Sequence, residues 1–329
     1  LKILIAGLGS IGRRHLQNLQ ALGEQDIILY RTHRSTLPDD DLSAFLVETN
    51  LETALDHHPD AVVVSNPTSL HLEVAMPAAR RGCHLLLEKP VSHTLEGVNE
   101  LASIVRDKHS KVLVGYQFRY HPGLQKVKEL LDTGRIGRPV SARAHWGEYL
   151  PYWHPWEDYR KAYSAQAQLG GGVILTLSHP LDYLRWLFGE VEEVFTFSGS
   201  LGDLDLDVED TAEIGLQFLS GMLASVHLDY LQQPPEHFLE IIASDGTLVW
   251  KYYEGEIKWY ESLQNKWQSW NTPKDFARND MFLAQMRHFL ALVGGETTPV
   301  CSLEDGIQDL RIALAALESS QSKKLVRLT

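Results

Sequence analysis

Three glycines at the start of the chain have the type and spacing for chemistry: Leu1 to Gly12 reads LKILIAGLGSIG. The apolar run Leu1–Ala6 leads directly into Gly7-x-Gly9-x-x-Gly12, and an amphipathic segment follows from Ile11 to Leu22. A strand before these glycines and a helix after them is the context in which they bind a dinucleotide. Gly7 allows a tight turn, Gly9 lets backbone approach a pyrophosphate, and Gly12 lets helix and strand pack closely. Ser10 and Ile11 complete the turn. Its amides and the positive end of the helix dipole attract the anion.

Three further strand exits carry candidate residues. An acid about 20 residues beyond such glycines bonds the ribose 2′-hydroxyl of NAD, whereas an Arg accommodates the 2′-phosphate of NADP. Here the run Ile27–Tyr30 ends in Arg31-Thr32-His33-Arg34, with no carboxylate. Arg31 and Arg34 can pair with a phosphate and the Thr32 hydroxyl can donate to it. NADP(H) is therefore favoured over NAD(H); a solvated basic loop is the other reading. Ser65-Asn66-Pro67-Thr68 leaves the run Ala61–Val64, and His71 follows shortly after. Pro67 holds the turn, and Thr68 either caps the next helix or touches the nicotinamide half of the cofactor. Asn66, Pro67, Thr68 and His71 are expected cofactor contacts.

Glu88-Lys89-Pro90 leaves the run His84–Leu87 at the same carboxyl edge, where open α/β sheets bind ligands. Glu88 is counted with the cofactor residues. Lys89 places an ammonium beside the nicotinamide position, able to hold a substrate hydroxyl or carbonyl oxygen. Partly desolvated near a cationic ring, it titrates low enough for acid–base work. A solvated lysine at a strand end is the alternative.

The elements that must position these residues alternate over the first 120 positions. Strands are read at Leu1–Ala6, Ile27–Tyr30, Ala61–Ser65, His84–Leu87 and Val112–Gly115, with a weak one near Ser43–Val47. Helices are read at Ile11–Leu22, Leu51–His57, Leu70–Arg80 and Leu95–Lys108. Strands joined by helical crossovers predict a doubly wound parallel sheet, a Rossmann domain over residues 1–121. Residues 122–329 read as a second domain built on an antiparallel or mixed sheet. It begins with a helix at Gly123–Leu131 and a strand at Val140–Tyr149, then an aromatic loop to about Gln168. Gly170-Gly171-Gly172 opens one helix running to Phe188. Successive strands follow from Val191 to Trp270, then helices at Met281–Val293 and Leu303–Ser319 and a last strand at Lys324–Leu328.

Composition narrows the function classes. The 329 residues carry a net charge of −13, which argues against general affinity for nucleic acid or anionic membrane. The two cysteines, Cys83 and Cys301, are far apart and predict a reducing, cytoplasmic compartment. No apolar run reaches the length of a membrane helix, and the first strand starts at residue 1, leaving no room for a signal peptide. The 15 histidines show no metal-ligand spacing, so no metal is expected.

GLGSIGRRH (Gly7–His15), NPTSLH (Asn66–His71), EKP (Glu88–Pro90), GYQFRYHPG (Gly115–Gly123) and GGGVILTLSHPLDYLRWLFG (Gly170–Gly189) occur in this order. Together they resemble the glucose–fructose oxidoreductase/inositol dehydrogenase (Gfo/Idh/MocA) family over essentially the whole chain. The resemblance implies a Rossmann domain followed by an α/β domain whose open sheet commonly serves in subunit association, hence a homodimer or homotetramer. It also implies NAD(P)-dependent redox chemistry at one carbon of a sugar, polyol or sugar nucleotide. Lys89 matches the family's active-site lysine, His179 its active-site histidine, and Asp182 the acid three residues further on. Where the family usually has a catalytic Asp, this chain has Thr176, and the Gly172-to-His179 interval is one residue short. Either the proton passes through His179 and Lys89 alone, or another acid such as Asp158 substitutes.

The loop Tyr152–Arg160, with Trp153, Asp158 and Tyr159, can stack on a pyranose face and bond its hydroxyls, or anchor itself against the sheet. Arg119 and His121 follow the last Rossmann strand and point to the substrate or form the domain junction. The expected reaction is hydride transfer between a nicotinamide and a carbinol carbon. Redox-assisted elimination or hydrolysis, and a non-catalytic dinucleotide-binding regulator, are the alternatives.

Overall fold

Short aliphatic runs without polar alternation build the first sheet, because strands covered on both faces have no wet side to mark. In the computed structural model, which describes residues 1–32 and 42–328, these are β1 (Ile3–Ala6), β2 (Ile27–Tyr30), β3 (Leu46–Glu48), β4 (Ala61–Val64), β5 (His84–Leu87) and β6 (Val112–Val114). Between them run α1 (Ser10–Ala21), α2 (Leu51–Asp56), α3 (His71–Arg80) and α4 (Val98–Asp107). The sheet order is β3-β2-β1-β4-β5-β6 with every pairing parallel. This is the doubly wound order, and its switch point lies between β1 and β4, at whose carboxyl ends ligands bind.

The second sheet alternates. It follows α5 (Pro122–Asp132) and contains β7 (Pro139–Gly147), β8 (Val191–Gly199), β9 (Thr211–Phe218), β10 (Leu223–Asp229), β11 (Glu236–Ala243), β12 (Gly246–Lys251), β13 (Glu256–Glu261) and β14 (Lys266–Asn271). With β15 (Val326–Arg327) it forms nine strands in the order β14-β13-β12-β11-β7-β10-β9-β8-β15. Only β7 and β10 pair in parallel among the described residues. Cross-strand register puts Thr196, Ile214, Val226, Ala144, Leu239 and Trp250 in one row, all of them buried. The neighbouring row on the opposite face, Phe197, Glu213, His227, His145 and Phe238, is open to varying degrees. One face is therefore a core and the other is not.

The segment after the glycine triplet is two helices, α6 (Val173–Thr176) and α7 (His179–Phe188), rather than the single helix expected. Pro180 explains the break: with no N–H to donate, it is suited to a first turn, so the helix restarts at His179. Thr68 is the first residue of a 3₁₀ turn, Thr68–Leu70, and neither that turn nor α3 has a side-chain cap, so the expected capping role fails.

The closing helices are α8 (Arg278–Gly294) and α9 (Leu303–Ser322). The chain forms two compact units, one of Leu1–Gln117 with Ala277–Leu310, the other of Phe118–Phe276 with Arg311–Thr329. A boundary after residue 121 divides the chain once, whereas these units interleave. Met286, Phe289 and Leu292 of α8 join Ile3, Ile5, Leu16, Leu19 and Val63 in the first unit's core.

Candidate functional site

The glycine turn fits a pyrophosphate. Gly7 takes φ +94°, and a Cβ there would lie 2.5 Å from the Asn66 amide nitrogen. A Cβ on Gly12 would come within 1.9 Å of the Gly7 carbonyl oxygen, so α1 packs against the turn only because Gly12 has no side chain. The Ser65 hydroxyl donates to the carbonyls of Ala6 and Gly7 at 3.0 and 2.9 Å, tying the ends of β1 and β4 together. Around Gly9, by contrast, a Cβ would meet nothing within 4 Å. No side chain caps α1 and no acid lies in its first turn, which leaves its dipole end suited to an anion. Ser10 and Ile11 begin this helix.

At the end of β2, Arg31 is buried and its backbone amide donates to the Glu48 carbonyl at 3.1 Å, while Thr32 is exposed. Arg34 lies outside the described residues.

The turn carrying Lys89 is held by groups distant in sequence. His15 Nε2 of α1 contacts Glu88 Oε1 at 2.7 Å, both residues buried. His71 of α3 faces two backbone carbonyls, Pro90 through Nδ1 at 2.9 Å and Asn66 through Nε2 at 3.0 Å. The 66–68 turn and the 88–90 turn are thus joined through one imidazole. Burial pulls His71 below the ordinary imidazole range, against the neighbouring Glu88 carboxylate and the carbonyls, which pull the other way. Lys89 is pushed down to about 8, chiefly by desolvation and also by Arg278, with Glu88 opposing. An amine titrating there is matched to proton exchange near neutral pH.

In the second unit His179 heads α7, nearly inaccessible, with the Phe118 ring edge-on at 5.0 Å and Trp146 at 5.5 Å. Trp146 in turn stacks on His237 at 4.6 Å. Asp182, on the next turn of α7, is fully buried and accepts from Arg119 Nε at 2.9 Å. Arg119 therefore has an internal carboxylate, and the pair anchors α7 to the 117–120 turn. Thr176 is buried, and near it the Tyr230 hydroxyl donates to the Ser164 carbonyl at 3.3 Å and is held above the usual tyrosine range by burial.

Of the aromatic loop, Trp153 packs edge-on against Tyr230 at 5.4 Å, and Tyr159 is half-buried with the Arg160 guanidinium 5.9 Å from its ring. Asp158 accepts from Arg160 Nε at 2.8 Å and from its terminal nitrogen at 2.9 Å, which holds its carboxyl below the usual range.

Several residues of consequence have no sequence signal. Glu209 accepts from the Ile174 amide at 3.1 Å and fills the space over Gly172, where a Cβ would lie 2.5 Å from its carboxylate. Burial pushes it up to about 6. His145, His227 and Asp229, scattered in sequence, bring ligand-type atoms within 4.8 Å of one another. His227 contacts Asp229 at 2.9 Å and Glu213 at 2.6 Å, and these contacts raise its pKa. The His227 imidazole, set between two carboxylates, accounts for that group.

The fold and the glycine turn define a dinucleotide-binding protein with an appended mixed-sheet domain. Residues 1–116 match the family described as an oxidoreductase family with an NAD-binding Rossmann fold, and residues 124–249 match the GFO/IDH/MocA C-terminal domain. Among similar proteins, the 1,5-anhydro-D-fructose reductase of Ensifer adhaerens is 29% identical over 80% of this chain and 78% of its own length. The myo-inositol 2-dehydrogenase of Thermotoga maritima is 28% identical over 100% of this chain and 98% of its own. A levoglucosan dehydrogenase structure in complex with NADH and levoglucosan superimposes with a TM-score of 0.87 at 20% identity, covering 100% of this chain and 99% of that one. The chain belongs to the Gfo/Idh/MocA family and is an NAD(P)-dependent oxidoreductase.

Proposed function

We propose that this protein interconverts a carbinol and a carbonyl carbon of a sugar, polyol or sugar nucleotide, with NADP(H) preferred over NAD(H). A bound nicotinamide supplies the hydride acceptor or donor. The residues of the chain do the rest. The Gly7–Gly12 turn and the start of α1 bind the pyrophosphate, and Arg31 bonds the 2′-phosphate. Lys89 and His179 hold the substrate oxygen and exchange its proton. Trp153 and Tyr159 contribute apolar surface suited to a sugar ring.

The observation that carries the reading is Lys89 at the exit of β5, between Glu88, which contacts His15, and Pro90, whose carbonyl contacts His71. The similar proteins act, by their names, on an anhydrofructose, an inositol and levoglucosan, all polyhydroxylated rings. Lys89→Met and His179→Asn should each lower kcat by about 10²–10⁴-fold, the usual loss when general acid–base help is removed. Dinucleotide affinity, set by other residues, should barely move. A screen of sugars and sugar nucleotides for reduced-nicotinamide absorbance identifies the substrate on which to measure this. Full activity in both variants would remove the mechanism.

A further inference from the structure

The carboxylate next to Lys89 is held among His15, the Lys89 backbone and Gly115. Glu88 Oε1 is 2.7 Å from His15 Nε2, and Oε2 is 3.4 Å from the Lys89 backbone nitrogen. A Cβ on Gly115, at the exit of β6, would come within 2.8 Å of Oε2. The space that receives Glu88 therefore exists because residue 115 is glycine. His15 is fully buried one turn into α1, with Phe282 edge-on at 6.5 Å. The Glu88 carboxylate is thereby fixed in place beside Lys89.

We propose that Glu88, locked by His15, is the positioning residue for Lys89: it fixes the lysine's turn and supplies the negative charge that keeps the ammonium form available. The inference rests on the reading of Lys89 as a proton-handling group. Neither Arg278 nor His71 does this. Arg278 of α8 bears the same charge as the ammonium and disfavours it. His71 of α3 is occupied with the Pro90 and Asn66 carbonyls. Burial alone drives a lysine toward the neutral amine. Glu88 opposes that drive, and the His15 contact holds its carboxylate in place.

Glu88→Gln tests this, because the amide oxygen can still accept from His15 while the charge is gone. An opposite charge at close range moves a pKa by about 1–3 units. Lys89 should therefore titrate about one pH unit lower in the variant. The direct measure is the pH dependence of Lys89 acetylation by acetic anhydride, followed by mass spectrometry of the peptide that contains it. His15→Gln, which can still donate to Glu88, should keep the wild-type titration, whereas His15→Leu should lose it. If His15→Leu does not fold, the Glu88→Gln comparison stands alone. Unchanged Lys89 titration in Glu88→Gln overturns the proposal. A shifted titration with an unshifted pH profile of kcat/KM supports the positioning role and instead overturns the assignment of Lys89 to proton transfer.

Discussion

Arg31 leaves β2 buried, with its backbone amide donated to Glu48, at the strand end where a 2′-phosphate arrives in this fold. A charge-assisted hydrogen bond contributes about 1.5–3 kcal/mol. Arg31→Ala should accordingly weaken NADP(H) binding by about tenfold or more and leave NAD(H) nearly unchanged. Calorimetric titration of both cofactors against both proteins checks it; equal affinities in the wild type would refute the preference. Single residues were legible in the sequence where their neighbours in the chain carry the meaning. Gly7, Gly9 and Gly12 sit in one turn, and Lys89 follows its strand. The pairing of Glu88 with His15 was not, because His15 lies 73 positions away and the two meet only once the order of β1, β4, β5 and β6 is set. Glu209 escaped notice for the same reason: the amide it accepts from lies 35 positions upstream.

Among the elements, α5 carries a pH dependence of its own. Its N-cap is His121, whose Nδ1 accepts from the Gly123 amide at 3.0 Å, a role open only to a nitrogen without a proton. Burial pulls His121 down to about 4, from an ordinary value of about 6.5. The neutral form therefore stabilises the fold fully above pH 6.5, and that stability is lost as pH falls from 6.5 through 4. The whole shift corresponds to about 3 kcal/mol. His121→Asn, which can cap without titrating, should flatten this part of the stability curve. Urea unfolding at pH 7 and pH 4.5 measures it, and an undiminished fall in the variant would count against the assignment. Periodicity revealed the elements themselves well, since aliphatic runs and helix-period segments are local patterns. It merged α6 with α7 because both present apolar residues at helical spacing, although the His179-Pro180 pair marks the restart. It could not order the second sheet, where β7 pairs with β10 and β11 across long separations in the chain.

At the scale of the whole molecule the open face of the nine-stranded sheet matters most. Phe197, Leu223, Ile242 and Trp267 are 60, 55, 41 and 53% exposed. Patches of that kind are usually covered by a partner. A second copy of the chain is the expected partner, and two-fold symmetry would place the same face on both sides of the contact. Light scattering at micromolar concentration should give twice or four times 37.2 kDa, and the monomer mass itself would contradict this. No helix among the described residues is long and apolar enough to cross a membrane. The interleaving of the two units has a consequence for biosynthesis. A ribosome releases the chain from its amino end at about 5–20 residues per second. All six strands of the parallel sheet emerge early, but Met286, Phe289 and Leu292, which complete their hydrophobic core, come only after the whole intervening sheet. For about ten to thirty seconds the nascent sheet waits with that side unsealed, a period in which a chaperone has something to hold. The part of the protein begun first is thus finished nearly last, and a fragment cut at residue 117 would be a half-closed sheet rather than a free-standing nucleotide-binding module.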